Sequence, residues 1–517
     1  MPEAPPAPIV LRSTVPWEGD AAALLLLVVA TVLLRLTSFV PAVVDTDEGL
    51  YMVQAREWLN GGWPLVAAWD MHPIGAPAMV ALAFLAFGVS VEAVRLLGLI
   101  CVAVTACALY AAARAVGAAR AIGLGAGMLY AAQSVLLTGI STNTEILMAP
   151  FVATAMAIAL RGAARALGPE RAAPGFGAVV AIGLPIGCAL LIKQVVVPAG
   201  CLAFALLVGP ALLRGLLPWR RLAGMAALYA ALCAGPFVLA GFAYWTQGWL
   251  DHYLDGSLLA PFRYAMERIE PAEAMRRIIA AALLVGFGLG FALVAFATWR
   301  PREALQPVPL LTSFAALWFV VASLAISAPG FYFAHYFLLW LPALSILAAI
   351  GAFRLAMGFA RPGLTRAAFA GLIGLVAADA WLFEMQHRFE RGPGLVNRDP
   401  VREVAAQVAL AAGPGGDALI ANYHASVYVI AGVRTATRFP FPPHLTGVFE
   451  DLSDISTEAE LDRVLAARPR VIVVDRGWMQ TMRPAAAAQV LRAIAAGYEL
   501  FASVPETRGP VEIYRAR

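Results

Sequence analysis

The chain has 517 residues, 61% of them hydrophobic and 14% charged, with a formal net charge of +4. Its mean hydropathy of +0.76 excludes an ordinary soluble enzyme and marks a polytopic membrane protein. The positive balance gives no reason to expect a nucleic-acid partner, because the arginines are spread through short loops. All five cysteines (Cys101, Cys107, Cys188, Cys201, Cys233) lie in apolar runs, which argues against a disulfide or metal framework.

Residues 1–19 are proline-rich and are expected to be a disordered cytoplasmic N-terminus. The apolar run 20–42 is long enough to cross a bilayer, and no small-residue cleavage site follows it, so it reads as a span rather than a signal peptide. Further spans are predicted at 91–113, 120–139, 145–162, 175–192, 195–213, 222–246, 277–299, 308–327, 335–355 and 364–384, about eleven in all. Segment 74–88 is short for a span, and the positive-inside rule decides its placement. If it lies on the membrane surface, Arg12, Arg114, Arg120, Arg161, Arg165, Arg171, Arg214, Arg220, Arg221, Arg300, Arg302, Arg354, Arg361 and Arg366 all share one side. If it crosses, every cluster except Arg12 moves to the other side. The surface placement therefore predicts a cytoplasmic N-terminus and an outer loop at 45–90 that carries juxtamembrane helices.

From about 390 to 517 the sequence changes character. Helix-like stretches (402–411, 458–467, 484–496) alternate with strand-like runs (418–421, 470–475, 498–504, 511–514), which predicts a small extracytoplasmic α/β domain. The loop 247–275, rich in Trp249, Tyr253, Phe262 and Tyr264, reads as an interfacial amphipathic segment.

The chemistry gathers on the outer side. Asp45, Asp47 and Glu48 follow the first span directly. In that position they can supply a general base, bind a divalent cation or cap the helix that begins near Glu48, with Asp47 as its N-cap. His72-Pro73 and the apolar segment behind it close the same loop into a groove between two surface helices. Lys193, the only lysine in the chain, sits between LLI and VVV at a span end, where its charge is costly unless it snorkels or pairs. Arg35 lies inside the first span, where helix packing and a lipid headgroup compete as explanations. Glu145 follows a capping turn, and His335 and Tyr336 open a late span.

The order span, D-x-D-E-x-x-Y-x-x-x-A-R, tryptophan-rich turn, H-P and apolar surface segment resembles the GT-C membrane glycosyltransferases of the family-39 type. That group includes the protein O-mannosyltransferases and the lipid A aminoarabinose transferases. Phe331-Tyr332-Phe333-Ala334-His335-Tyr336-Phe337-Leu338, running to Leu341-Pro342, and Leu191-Ile192-Lys193-Gln194 are similar to two further motifs of that family. The resemblance covers roughly residues 20–385, as a transferase domain, and 390–517 is compatible with the outer domain of many members.

The resemblance implies transfer of a sugar from a polyprenyl-phosphate donor to an extracytoplasmic lipid, glycan or protein hydroxyl, in the inner membrane of a bacterium, by a single inverting displacement. It implies Asp47 as the base, with Glu48 as alternate or orienting partner. Lys193 becomes the first candidate for the donor phosphate, followed by Arg35 and Arg263, with Arg95 ranked alongside Arg263. Asp45, His72, Glu145, His335 and Tyr336 are candidate substrate contacts. Some relatives carry a lysine in the turn near His72, and this chain does not. No cofactor or metal is required, although a divalent cation is compatible with the acids. A lipid or saccharide transporter is the alternative; its ionisable groups would be expected near mid-bilayer, whereas here they line the outer rim.

Overall fold

The computed structural model describes residues 16–300, 303, 306–359, 361–390 and 395–517. Residues 1–15, most of the expected disordered N-terminus, lie outside this range. The membrane part opens with α1 (Pro16–Arg35), α2 (Thr46–Leu59), α3 (Gly75–Phe87), α4 (Val91–Ala115), α5 (Arg120–Gln133) and α6 (Thr144–Leu167). It continues with α7 (Phe176–Ile192), α8 (Val197–Leu213), α9 (Trp219–Thr246), α10 (Leu250–Leu254), α11 (Ala260–Met266), α12 (Pro271–Leu284) and α13 (Gly286–Ala297), and ends with α14 (Pro307–Ser327), α15 (Leu341–Ala356) and α16 (Pro362–Glu390).

Among the described residues, eight helices are long and apolar enough to cross a membrane, or nine if one bent pair counts as a single span. The expected spans that fall outside this count are short or broken helices. The helix in 120–139 ends at Gln133 and gives way to a turn with Leu137 and Thr138 at φ 57° and 58°. α7 has only 17 residues. The expected span 277–299 is broken, because α12 and α13 meet at 81°. α3, with 13 residues, reaches only about 20 Å at 1.5 Å per residue, short of a hydrocarbon core of about 30 Å.

Burial grades the bundle. α15 is apolar all round and almost wholly enclosed, whereas α9 is exposed along nearly its whole length, the pattern of a lipid-facing helix. Gly351 lets α13 lie directly on α15, since a Cβ there would sit 1.8 Å from the Phe291 carbonyl oxygen.

The tail adds α17 (Pro400–Ala412), α18 (Ser426–Ile430), α19 (Pro442–Leu445), α20 (Thr457–Ala466) and α21 (Pro484–Gly497) around a five-stranded sheet. Its strands are β1 (Asp417–Ile420), β2 (Arg434–Thr435), β3 (Val471–Asp475), β4 (Tyr498–Pro505) and β5 (Pro510–Ala516), in the order β2-β1-β3-β5-β4. β1 runs parallel to β2 and β3, and β5 runs antiparallel to β3 and β4. The two-residue β2 and the short α18 and α19 left no period in the sequence to find.

The tail grips the loop that follows α1. Asp399 accepts from the Ala42 amide at 2.9 Å, and Arg56 donates to the Tyr428 carbonyl at 2.6 Å. The Trp69 amide donates to the Arg438 carbonyl at 2.7 Å, and Arg438 donates back to the Leu65 carbonyl at 2.6 Å. Gly49 faces α18 so closely that a Cβ would lie 2.6 Å from the Ser426 nitrogen. The helix carrying the acids is thereby fixed from outside as well as from the bundle.

Candidate active site

α2 begins two residues earlier than its acids suggested. Asp45, not Asp47, is the N-cap, and its Oδ1 accepts from the Asp47 amide at 3.2 Å. That leaves Asp47 and Glu48 in the first turn, where acids complement the helix dipole. The two then diverge. Asp47 is part-exposed at 29% and accepts no side-chain hydrogen bond among the described residues; its nearest cation is His335, with Nε2 at 3.9 Å. Burial and the neighbouring Asp45 carboxylate push its carboxyl up to about 6.

Asp45 is bound on several sides. His335 Nδ1 lies 3.0 Å from its Oδ2, and the Thr138 hydroxyl donates to the same oxygen at 3.2 Å. Burial alone would raise the Asp45 carboxyl, but the hydrogen bond and charge of His335 outweigh it and hold the group below its usual range. Asp45, Asp47 and His335 each offer a ligand atom within 4.8 Å of the others, and two carboxylate oxygens with an imidazole nitrogen suit a divalent cation.

Glu48 is not available as a base. Its side chain is 2% exposed and held by Arg95 at 2.8 Å, and its other oxygen accepts from the Thr142 amide at 3.0 Å. Burial raises its carboxyl despite the Arg95 charge. Arg35 is likewise not a phosphate ligand. It is wholly buried and donates to the Gly139 carbonyl at 2.9 Å, the Ile140 carbonyl at 3.0 Å and Ser134 at 3.2 and 3.3 Å. Its work is to close the turn between α5 and α6, the same turn that presents Thr138 to Asp45. Arg95 is spent on Glu48. Arg263 is spent on Asp255 at 2.6 Å and on the Leu452 carbonyl in the tail at 2.8 Å, and so ties the loop after α9 to the outer domain.

Lys193 ends α7 and its ammonium lies 2.7 Å from Glu145 and 3.3 Å from the Thr144 hydroxyl. The same ammonium sits 4.6 Å above the Tyr336 ring. Glu145 is the polar end of a narrow cleft of about 40 Å³ whose walls are otherwise apolar: Met148 and Val152 of α6, Val196 and Ala199 where α8 begins, Trp318 of α14, and Leu338. Such apolar walls suit a hydrocarbon group, and Glu145 links them to the Lys193 ammonium.

The expected site residues do converge, from four separated stretches of sequence. Asp45 and Asp47, Glu145, Lys193, and His335 with Tyr336 surround one polar patch, and His72 lies close enough for its charge to act on Asp47. Sequence reasoning missed Asp70, Thr138 and Tyr264. Asp70 Oδ2 holds His72 Nδ1 at 3.0 Å, and the Tyr264 hydroxyl lies 3.3 Å from that of Tyr336. The only sequence cue for Asp70 is its spacing of two from His72.

Residues 71–245 match the dolichyl-phosphate-mannose-protein mannosyltransferase family. No curated protein sequence matches the chain. Among solved structures, apo ArnT from Cupriavidus metallidurans superimposes with a TM-score of 0.62 at 15% identity, covering 96% of this chain and 98% of that one. The same enzyme bound to undecaprenyl phosphate gives 0.61 at 16% identity, with the same coverage. The archaeal oligosaccharyltransferase AglB from Archaeoglobus fulgidus, in complex with an inhibitory peptide and a dolichol-phosphate, gives 0.50 at 13% identity, covering 96% of this chain and 74% of that one. The chain therefore shares its fold with the ArnT and AglB structures, and the family match is confined to residues 71–245.

Proposed function

We propose that the protein moves a sugar from a polyprenyl-phosphate donor to a hydroxyl on an extracytoplasmic acceptor, with Asp47 as the general base. The observation that carries this reading is the contrast between Asp47 and its neighbours. It is the one acid of the patch that is part-exposed and free of side-chain hydrogen bonds among the described residues, and it stands beside the polar end of an apolar cleft. In one inverting displacement the acceptor oxygen forms its bond to the anomeric carbon as its proton passes to Asp47. The bond to the phosphate oxygen breaks, and the lipid phosphate leaves with the electron pair. Lys193 Nζ is the cation placed to meet that charge, and Glu145 holds it at the cleft mouth. His335, Tyr336 and Asp45 line the space where sugar and acceptor meet. The undecaprenyl phosphate in the ArnT relative and the dolichol-phosphate in AglB support a polyprenyl-linked donor.

The arginine clusters support a cytoplasmic N-terminus, with residues 45–90 and the 390–517 domain on the outer face of the inner membrane and 20–385 as the transferase unit. A divalent cation at Asp45, Asp47 and His335 would anchor a sugar or acceptor oxygen and is not required for the displacement. The test is transfer from labelled polyprenyl-phosphate sugars to cell-envelope acceptors by the protein in lipid nanodiscs. Transfer by the parent and its loss in Asp47→Asn are expected. Equal transfer by both removes Asp47 as base, and insensitivity to a chelator removes the cation.

A further inference from the structure

Two carboxylate–imidazole pairs stand near Asp47, and only one of them has been given a role. Asp45 holds His335 by Nδ1 at 3.0 Å, and Nε2 of that ring faces Asp47. Asp70 holds His72 in the same way, by Nδ1 and again at 3.0 Å. Asp70 is 2% exposed, and its second oxygen is occupied by the Met71 amide at 2.7 Å. With one oxygen on the Met71 amide and the other on His72 Nδ1, the buried Asp70 carboxylate is an acceptor on both sides. The His72 ring is 14% exposed, and Nε2 has no hydrogen-bond partner among the described residues. The tail seals the back of this pair. Trp69 is pinned through its amide to Arg438 and packs edge-on against Phe439 and His444, at 5.4 and 5.0 Å.

A carboxylate acceptor at Nδ1 fixes which nitrogen carries the hydrogen. In the neutral ring, Nδ1 is the donor to Asp70 and Nε2 keeps its lone pair. A lysine in this turn could only donate, and so would suit a phosphate. A ring held in this way accepts, and so suits a hydroxyl. We infer that Asp70 is a positioning residue that sets His72 with Nε2 as a hydrogen-bond acceptor for one hydroxyl of the transferred sugar, making His72 a specificity contact rather than a phosphate ligand. This rests on the sugar-transfer reading above and adds the chemical class that the His72 subsite takes.

Two readouts test it. The chain has six histidines, so 15N-histidine spectra at pH 8, assigned by difference with His72→Gln, can report the ring directly. A protonated Nδ1 and a bare Nε2 are expected at His72, and the opposite tautomer or a charged ring overturns the inference. In transfer assays Asp70→Asn, whose amide can donate to Nδ1 and reverse the ring, should lower kcat/KM by about 10- to 100-fold. Binding of undecaprenyl phosphate alone should be unchanged. A panel of deoxy-sugar donors should contain one that is penalised in the parent and not further penalised in His72→Ala. Weakened undecaprenyl phosphate binding in either variant, or a panel with no such sugar, overturns the inference while leaving Asp47 as base intact. A parent that transfers no sugar instead overturns the transfer reading itself, and the spectra still decide the tautomer.

Discussion

Asp47 and Glu48 are neighbours in sequence and opposites in environment. Asp47 faces the polar patch, part-exposed and beside a histidine that is shared with Asp45. Glu48, 100° further round the helix, is buried against Arg95 and the Thr142 amide. One residue of rotation on a 3.6-residue helix separates a reactive acid from a structural one. The acid in the bundle has a full set of partners and gains rigidity from them. The acid in the cleft lacks partners, and burial next to a like charge leaves it with a higher proton affinity, which is what a general base needs.

The sharpest way to break this contrast is Asp47→Asn. Transfer should fall by about 10³-fold, in line with the loss of a general base, while the thermal unfolding temperature stays at or above that of the parent. Glu48→Gln should do the reverse. It leaves Arg95 buried without a counter-charge, a loss of about 3–5 kcal/mol, seen as a lowered unfolding temperature in detergent, and the protein that remains folded should still bind undecaprenyl phosphate. A third measurement concerns pH. The Asp47 carboxyl lies at about 6 and acts only when ionised. Transfer should therefore be flat above that pH and fall about tenfold per unit below it, and the acid limb should be missing from the residual activity of Asp47→Asn. The smallest effect should come from Arg263→Ala. That guanidinium is 37% exposed and paired to Asp255, so its loss should cost no more than about 1 kcal/mol and leave donor binding unchanged. A large loss of donor affinity would return Arg263 to the phosphate site.

Hydropathy carried the fold class, because each span must satisfy its backbone internally and so leaves a long apolar run. It could not carry the break between α12 and α13, since Leu284-Val285-Gly286 reads as continuous apolar sequence across an 81° bend. Motif order brought Asp47, Glu145, Lys193 and His335 into one site although His335 lies 290 residues beyond Asp45. What motif order could not supply was the partner of each charge. Arg35 and Arg95 both read as cations near the outer side, and only packing shows that one closes a turn on backbone carbonyls and the other neutralises Glu48. Asp70 escaped notice for the same reason, since its spacing of two from His72 is a cue only once the pairing of the two side chains is seen.

The contact of Gly49 with Ser426 has a consequence for building chimaeras. The membrane unit and the outer domain meet partly through backbone, at the Ala42 and Trp69 amides, at Gly49 and at the Tyr428 carbonyl that Arg56 reaches, alongside side-chain contacts such as Arg402 with Glu92. An outer domain borrowed from another enzyme would have to bring a matching surface for each of those backbone contacts. In that sense the outer domain is inherited together with α2, and recombination between such enzymes should succeed only at boundaries that keep the two together.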